Sequence, residues 1–255
     1  MIRRPRDLNG WITIGMIVVA VAVGIPWLWH QYETRPPWWD PVQRQILHVG
    51  LRETVRMAAF AVVGSATIGI LLGTLLTIDF RPSRAVIRFY IEFFRGLPIL
   101  ITIFLIYFAV PRGAHVQPLA AFQAATVGLI LWGSAQVAEA TRGAVQSIPR
   151  EQHEAASALG FGWVGRHVFV IVPQAVRRLL PPIVGLLVNV VQNTTIAAII
   201  GVGELLETAN RSSERLLFAT GKPHLFSILL FVMALFFLVS FPLTRLAAYL
   251  EKRLL

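Results

Sequence analysis

The chain has 255 residues, 56% of them hydrophobic and only 14% charged, with a formal net charge of +10 and a mean hydropathy of +0.66. Soluble chains average about 45–50% apolar and about 25% charged residues, so the composition excludes an ordinary soluble domain and a disordered one. The absence of cysteine excludes disulfides, thiol nucleophiles and Cys-ligated metals. The arginine excess, which would suggest nucleic acid in a soluble protein, here asks which side of a membrane the arginines occupy.

About 20 apolar residues cross a bilayer, and the composition supplies about six such spans. The first is Trp11 to Trp29, preceded by Arg3, Arg4 and Arg6. It is longer than a signal-peptide core and lacks a small-residue cleavage site, so it reads as an uncleaved helix. A polar, Trp/Pro-rich stretch (Tyr32 to Val49) follows, then a second span from Val55 to Ile78, broken by Asp79 to Arg84. Spans three and four run from Gly96 to Val110 and from Leu119 to Ala138. A long, mostly polar segment occupies Glu139 to Arg178, and spans five and six cover Pro182 to Val202 and Leu225 to Tyr249. The expected fold class is an all-α integral membrane protein.

With six spans, both termini, the 79–95 connection and the 139–178 segment share one side. That side holds 15 of the 23 lysines and arginines, which by the positive-inside rule makes it cytoplasmic. Span two carries small residues at spacing four (Ala61, Ser65, Gly69, Gly73, Thr77). Such a ridge lets another helix backbone approach closely, either within this chain or from a second subunit.

In the 139–178 segment, Pro149 suits a first helical turn. Glu151 and Glu154 favour the positive end of the helix that follows, and Gly160 is placed to stop it. A second short helix starts at Trp163, with an apolar side of Trp163, His167, Val170 and Ile171, and Pro173 is expected to end it. Two short helices joined at a glycine elbow form a docking knob; the alternative is a loop lying on the membrane surface.

The run Glu154-Ala155-Ala156, then Gly160, then Val170-Ile171-Val172-Pro173 resembles the EAA motif of ABC importer permeases, with valines in place of the usual Ile and Leu. Four further stretches resemble the polar amino-acid branch of that family, which includes histidine, glutamine, glutamate and arginine permeases. They are Glu92 to Pro98, Arg142 to Pro149, Pro173-Gln174-Ala175 and Gly201 to Leu206. The resemblance implies a type I importer transmembrane fold, with residues 51–250 as the permease domain and 1–50 as an N-terminal helix and extracytoplasmic segment. It further implies a bacterial inner-membrane complex of two permease subunits (identical or homologous), a cytoplasmic ATPase dimer and an extracytoplasmic solute-binding protein. Glu154, Ala155, Ala156, Gly160 and Pro173 would then belong to the coupling helix that enters a groove on the ATPase.

The chain lacks its own phosphate loop. G-x-x-x-x-G-K-[ST] is required, whereas Lys222 is followed by Pro223 and Lys252 has no glycine nearby. ATP and Mg are therefore assigned to the partner ATPase, with no cofactor in this chain and no nucleic-acid partner. Span five carries Asn189, Gln192, Asn193, Thr194 and Thr195, the three amides falling at i, i+3, i+4 on one face. Amides both donate and accept hydrogen bonds, which suits an α-ammonium and α-carboxylate; interhelical amide clamps are the alternative. Family members commonly carry Lys-Asp or Lys-Asn where this chain has Gln192-Asn193, which leaves side-chain selectivity open. Glu139 is spaced to pair with Arg142, as a structural ion pair or a gate contact. The histidines form no metal-ligand pattern. Another small solute (methionine, an osmolyte or an oxyanion) is the alternative cargo. A secondary carrier would be expected to need a mid-membrane acid or base, and a membrane enzyme a catalytic constellation at depth; neither is found.

Overall fold

A computed structural model describes residues 39–77, 81–109 and 119–254. The predicted first span, Trp11 to Trp29, lies outside the described residues. The chain divides into two units, Met1–Arg44 and Gln45–Leu255, and everything below concerns the second unless stated. The described residues fold into helices with no strand. In order they are α1 (Trp39–Gln45), α2 (Leu51–Leu75), α3 (Arg81–Gly96), α4 (Ile99–Phe104), α5 (Ala121–Gln146), α6 (Arg150–Ala158), α7 (Trp163–Arg166), α8 (Val172–Asn193), α9 (Leu205–Thr220) and α10 (Leu225–Leu254). Three π-helical turns precede α2, follow α4 and precede α8, and a 3₁₀ turn (Thr194–Ile200) follows α8.

Among the described residues, four helices are long and apolar enough to cross a membrane: Trp39–Leu75, Ala121–Gln146, Val164–Ile200 and Leu225–Leu254. Pro82–Gly96 and Ile99–Ala109 form a helix pair bent by 107° at a short break, the shape of a broken span or a re-entrant segment. The bend falls at Leu97-Pro98, where the proline lacks an N–H and biases the preceding residue away from helix. The 79–95 connection, in which Asp79 to Arg84 is expected only to break the span, is mostly helix. Its apolar and charged residues recur at helical spacing, a signal diluted by four arginines in the first fifteen residues of α3.

The broadest interface is α2 against α5. The small ridge of span two makes it, within one chain: Ala61, Ser65, Gly69 and Gly73 are buried. A Cβ on Gly69 would lie 2.7 Å from the Ser134 carbonyl, and one on Gly73 2.6 Å from that of Ala138. Close backbone packing is how helices associate where lipid supplies no hydrophobic drive between them. The core below it gathers Met57, Ile103, Leu129, Val190 and Ala197 from α2, α4, α5, α8 and the 3₁₀ turn.

One expectation fails here. Pro173 does not end the helix that starts at Trp163; it sits in the first turn of α8, and the helical path Val164–Ile200 is continuous through Pro173, Pro181 and Pro182. The π turn His167–Ile171 explains this. Its widened bond, Val172 N–H to the His167 carbonyl, loosens the turn just where a proline ring would collide with the carbonyl four residues back. Span five accordingly begins well before Pro182, and span four continues to Gln146 rather than stopping at Ala138.

Candidate coupling and translocation sites

The knob is built around α6. Pro149 is its N-cap and Glu151 lies in its first turn, where an acid meets the positive helix end. At the other end Gly160 adopts φ +81°. The Phe161 N–H donates to the Ala156 carbonyl at 3.1 Å and the Gly160 N–H to that of Ser157 at 3.0 Å, the paired bonds of a Schellman stop that favours glycine at the left-handed position. The expected elbow is therefore present.

Of the motif residues, Ala156 is the buried one of α6, while Ala155 and Pro173 are exposed. Glu154 is exposed and accepts from Arg150 Nε at 3.0 Å, an i,i+4 pair of little energetic weight in water. Its carboxylate is thus free to exchange Arg150 for another cation. Beyond the elbow, Leu159 is 78% and Phe169 70% exposed, with Phe161 and Val164 also at the surface, and the Phe161 and Phe169 rings lie 6.1 Å apart. Of the expected apolar side of the second helix, Ile171 is buried and Val170 packs with it against Ile148 and Ala175.

Tethers that the sequence did not announce hold the knob to the spans. Arg178 Nη1 donates to the Ser147 carbonyl at 2.6 Å and to its Oγ at 3.1 Å. Gln174 Nε2 reaches Gln152 Oε1 at 3.4 Å, and Arg166 Nη1 reaches Ser157 Oγ at 3.2 Å. Burial first, then the charges of Arg166 and His167, hold the His153 imidazole below its ordinary pKa, which keeps it neutral near pH 7.

The amide face lies at the far end of α8. Asn189 and Gln192 are exposed and Asn193 half-buried, and none of the three side chains makes a hydrogen bond among the described residues. Among the described residues they thus form no interhelical clamp. Thr194 and Thr195 instead donate to the Val191 and Gln192 carbonyls, at 2.7 and 2.9 Å, and Thr194 is fully buried. Glu139 is not joined to this face. It accepts from Arg142 at 2.9 and 2.5 Å and lies 3.8 Å from Arg95, while Arg142 also donates to Gln146.

Glu204 was not singled out from sequence. It is fully buried as the N-cap of α9, accepting from the Leu206 and Glu207 N–H groups, and the next N–H, of Leu205, donates to Thr54 of α2 at 3.1 Å. Burial pushes its carboxyl up to about 7 against those two backbone bonds. The available signal was the Gly201-Val202-Gly203 break just before the apolar pair Leu205-Leu206. No cluster of three or more His, Cys, Asp or Glu among the described residues would hold a metal ion.

A helical bundle of broken and continuous membrane spans, with a short helix and glycine elbow presented outside it, defines a membrane transport component. Residues 65–255 match the family described as "Binding-protein-dependent transport system inner membrane component", and the chain belongs to that family. It is 31% identical over 205 residues to the probable glutamine ABC transporter permease protein GlnM of Bacillus subtilis, covering 80% of this chain and 91% of that one. It is 34% identical over 160 residues to the glutamine transport system permease protein GlnP of Escherichia coli K12, covering 63% and 73%. Among solved structures it resembles an amino acid ABC transporter crystallised with histidines, with a TM-score of 0.73, 26% identity and coverage of 83% and 94%.

Proposed function

We propose that the chain is the transmembrane subunit of an ATP-driven importer for a polar amino acid. It would work with a second permease subunit, a cytoplasmic ATPase dimer that binds ATP and Mg, and an extracytoplasmic solute-binding protein. The observation that carries the coupling role is the rigid knob. A helix stopped by a left-handed glycine presents an exposed acid and an apolar cap, tied to α5 and α8 by Arg178, Gln174 and the Ile148–Ile171–Ala175 cluster. A surface of this kind offers a partner both an ion pair and about four apolar side chains to bury, and its tethers pass any displacement straight into two spans. The amino-acid assignment rests on the named relatives and on the unpartnered Asn189–Gln192–Asn193 face, which has donors and acceptors to spare and no net charge. Residues 51–250 form the permease domain, with 1–50 as the additional N-terminal part. The arginine bias places the knob and both termini in the cytoplasm.

The test is co-purification. An affinity-tagged chain is expected to retain the ATPase, and Glu154→Lys is expected to lose it while reaching the membrane in wild-type amount. ATPase retained at wild-type yield by Glu154→Lys, with unchanged uptake, would refute the docking role.

A further inference from the structure

A cavity of about 190 Å³ lies where α3 crosses the ends of two spans. Leu76 at the end of α2, Arg88, Glu92 and Arg95 of α3, and Glu139 and Arg142 near the end of α5 line it. Its position at the span ends places it at the level of lipid headgroups. Two of its charges are committed elsewhere: Glu139 and Arg142 hold each other, with Arg95 beside them. Arg88 and Glu92 are not. Both are exposed, they stand one turn apart, and neither makes an ion pair or hydrogen bond among the described residues, not even with each other. One guanidinium, near enough to Glu139 to act on its charge but in no ion pair or hydrogen bond among the described residues, and one carboxylate likewise without a partner there therefore face the same small cavity.

Three kinds of residue share α3. Ile87 and Ile91 are buried against Leu76 and Ala138. Arg84, Arg88, Glu92 and Arg95 fall at i, i+4, i+8 and i+11, a polar stripe. Val86, Phe89 and Phe93, at i, i+3 and i+7, form an apolar face that no other described helix covers: Val86 is 70% and Phe89 69% exposed, and the rings of Phe89 and Phe93 stack at 5.8 Å. A helix so divided lies in a membrane interface with its apolar face toward the acyl chains. The ligand must therefore satisfy a cation site, an anion site one turn away, and a neighbouring apolar surface.

We infer that this cavity is a binding site for a phospholipid with a zwitterionic ethanolamine headgroup. The phosphate is recognised by Arg88, with Arg95 beside it, and the primary ammonium by Glu92. Guanidinium groups match phosphate oxygens with paired N–H donors, and an ammonium gives a carboxylate N–H donors that a choline headgroup lacks. The acyl chains run along Phe89 and Phe93, a surface for which a free amino acid has no use.

The full-length chain is equilibrated with vesicles holding phosphatidylethanolamine, phosphatidylcholine and phosphatidylglycerol in equal amounts, and retained lipid is counted by native mass spectrometry. Wild type is expected to retain phosphatidylethanolamine over phosphatidylcholine by about fivefold, the net weight of one ordinary hydrogen bond at a solvent-exposed site. Glu92→Gln is expected to erase that preference, Glu92→Asp to keep part of it, and Arg88→Gln to lower retention of all three lipids. Equal retention of the two zwitterionic lipids by wild type, or an undiminished preference in Glu92→Gln, overturns the assignment. So does a dominant retention of phosphatidylglycerol that grows in Glu92→Gln, which would make the cavity an anion site. Displacement of the bound lipid by millimolar free glutamine would give the cavity to a soluble zwitterion and also overturn it. Thermal melts matching wild type show that the variants, all at exposed positions, remain folded.

Discussion

Replacing Gly160 isolates the elbow from everything else in the knob. The residue sits at φ +81°, and a Cβ built on it meets nothing within 4 Å, so a substitution is opposed by its own backbone and not by neighbours. For an ordinary L-residue the left-handed region costs about 1–2 kcal/mol, which is about a 5- to 30-fold loss in the population of the formed elbow. Asparagine tolerates the region and costs less. Leaving it breaks the Phe161–Ala156 and Gly160–Ser157 bonds and carries Phe161 away from Phe169. The expected order of coupling is therefore wild type, then Gly160→Asn, then Gly160→Ala, with Gly160→Val lowest because a β-branched residue is the worst fit for positive φ. The assay is ATPase retained on the purified chain, together with amino acid transported per ATP hydrolysed, at equal membrane yield. Gly160→Val behaving as wild type would show that the elbow conformation does not matter. Gly160→Asn as damaging as Gly160→Val would show that bulk, not backbone conformation, is at issue, which the open space around the residue contradicts.

Gln192→Leu and Asn193→Leu are expected to lower amino-acid uptake by about 10- to 150-fold in apparent affinity, the worth of about 1.5–3 kcal/mol for a hydrogen bond to a charged group. A packing contact in the membrane is worth nearer about 0.6 kcal/mol, so uptake within about twofold of wild type, normalised to assembled complex, would remove these amides from the path. Glu204, with a folded value raised from 4.5 to about 7, favours the fold in its protonated form. That contribution is complete below about pH 4.5 and lost as the pH rises through 7, about 3 kcal/mol in all. The melting temperature should therefore fall between pH 5 and pH 8 in wild type and fall less in Glu204→Gln; parallel slopes would refute the buried acid as the cause. For orientation, Ser157→Cys should resist an impermeant thiol reagent added outside intact cells and Lys222→Cys should react, both residues being exposed; the reverse pattern would invert the assigned topology.

What could be read in the sequence was local and chemical. Gly160 announced its turn because few residues accept positive φ. Glu139 and Arg142 announced their pair because three residues apart on a helix are neighbours. What could not be read depended on the packing of distant segments. Pro173 misled because a π turn ending two residues earlier absorbs its clash, and nothing in the local composition marks that turn. The α3 helix hid behind arginines whose stripe is visible only once Ile87 and Ile91 are known to face inward. Glu204 passed unmarked because its burial depends on a distant segment: Thr54, 150 residues earlier, bonds the start of α9. The amide face was visible as a pattern, but only the structure shows that no group among the described residues satisfies it.

The most direct test of the central claim is release of a labelled polar amino acid from the lumen of proteoliposomes holding this chain with the ATPase that co-purifies with it. The ATPase faces outward in this arrangement, so the solute-binding protein is enclosed with substrate and efflux from the lumen is the transport direction measured. The account predicts movement that requires ATP outside and the binding protein inside, and that is lost in Glu154→Lys. Transport that proceeds without ATP, driven by an imposed ion gradient alone, would contradict it and make the chain a self-sufficient carrier.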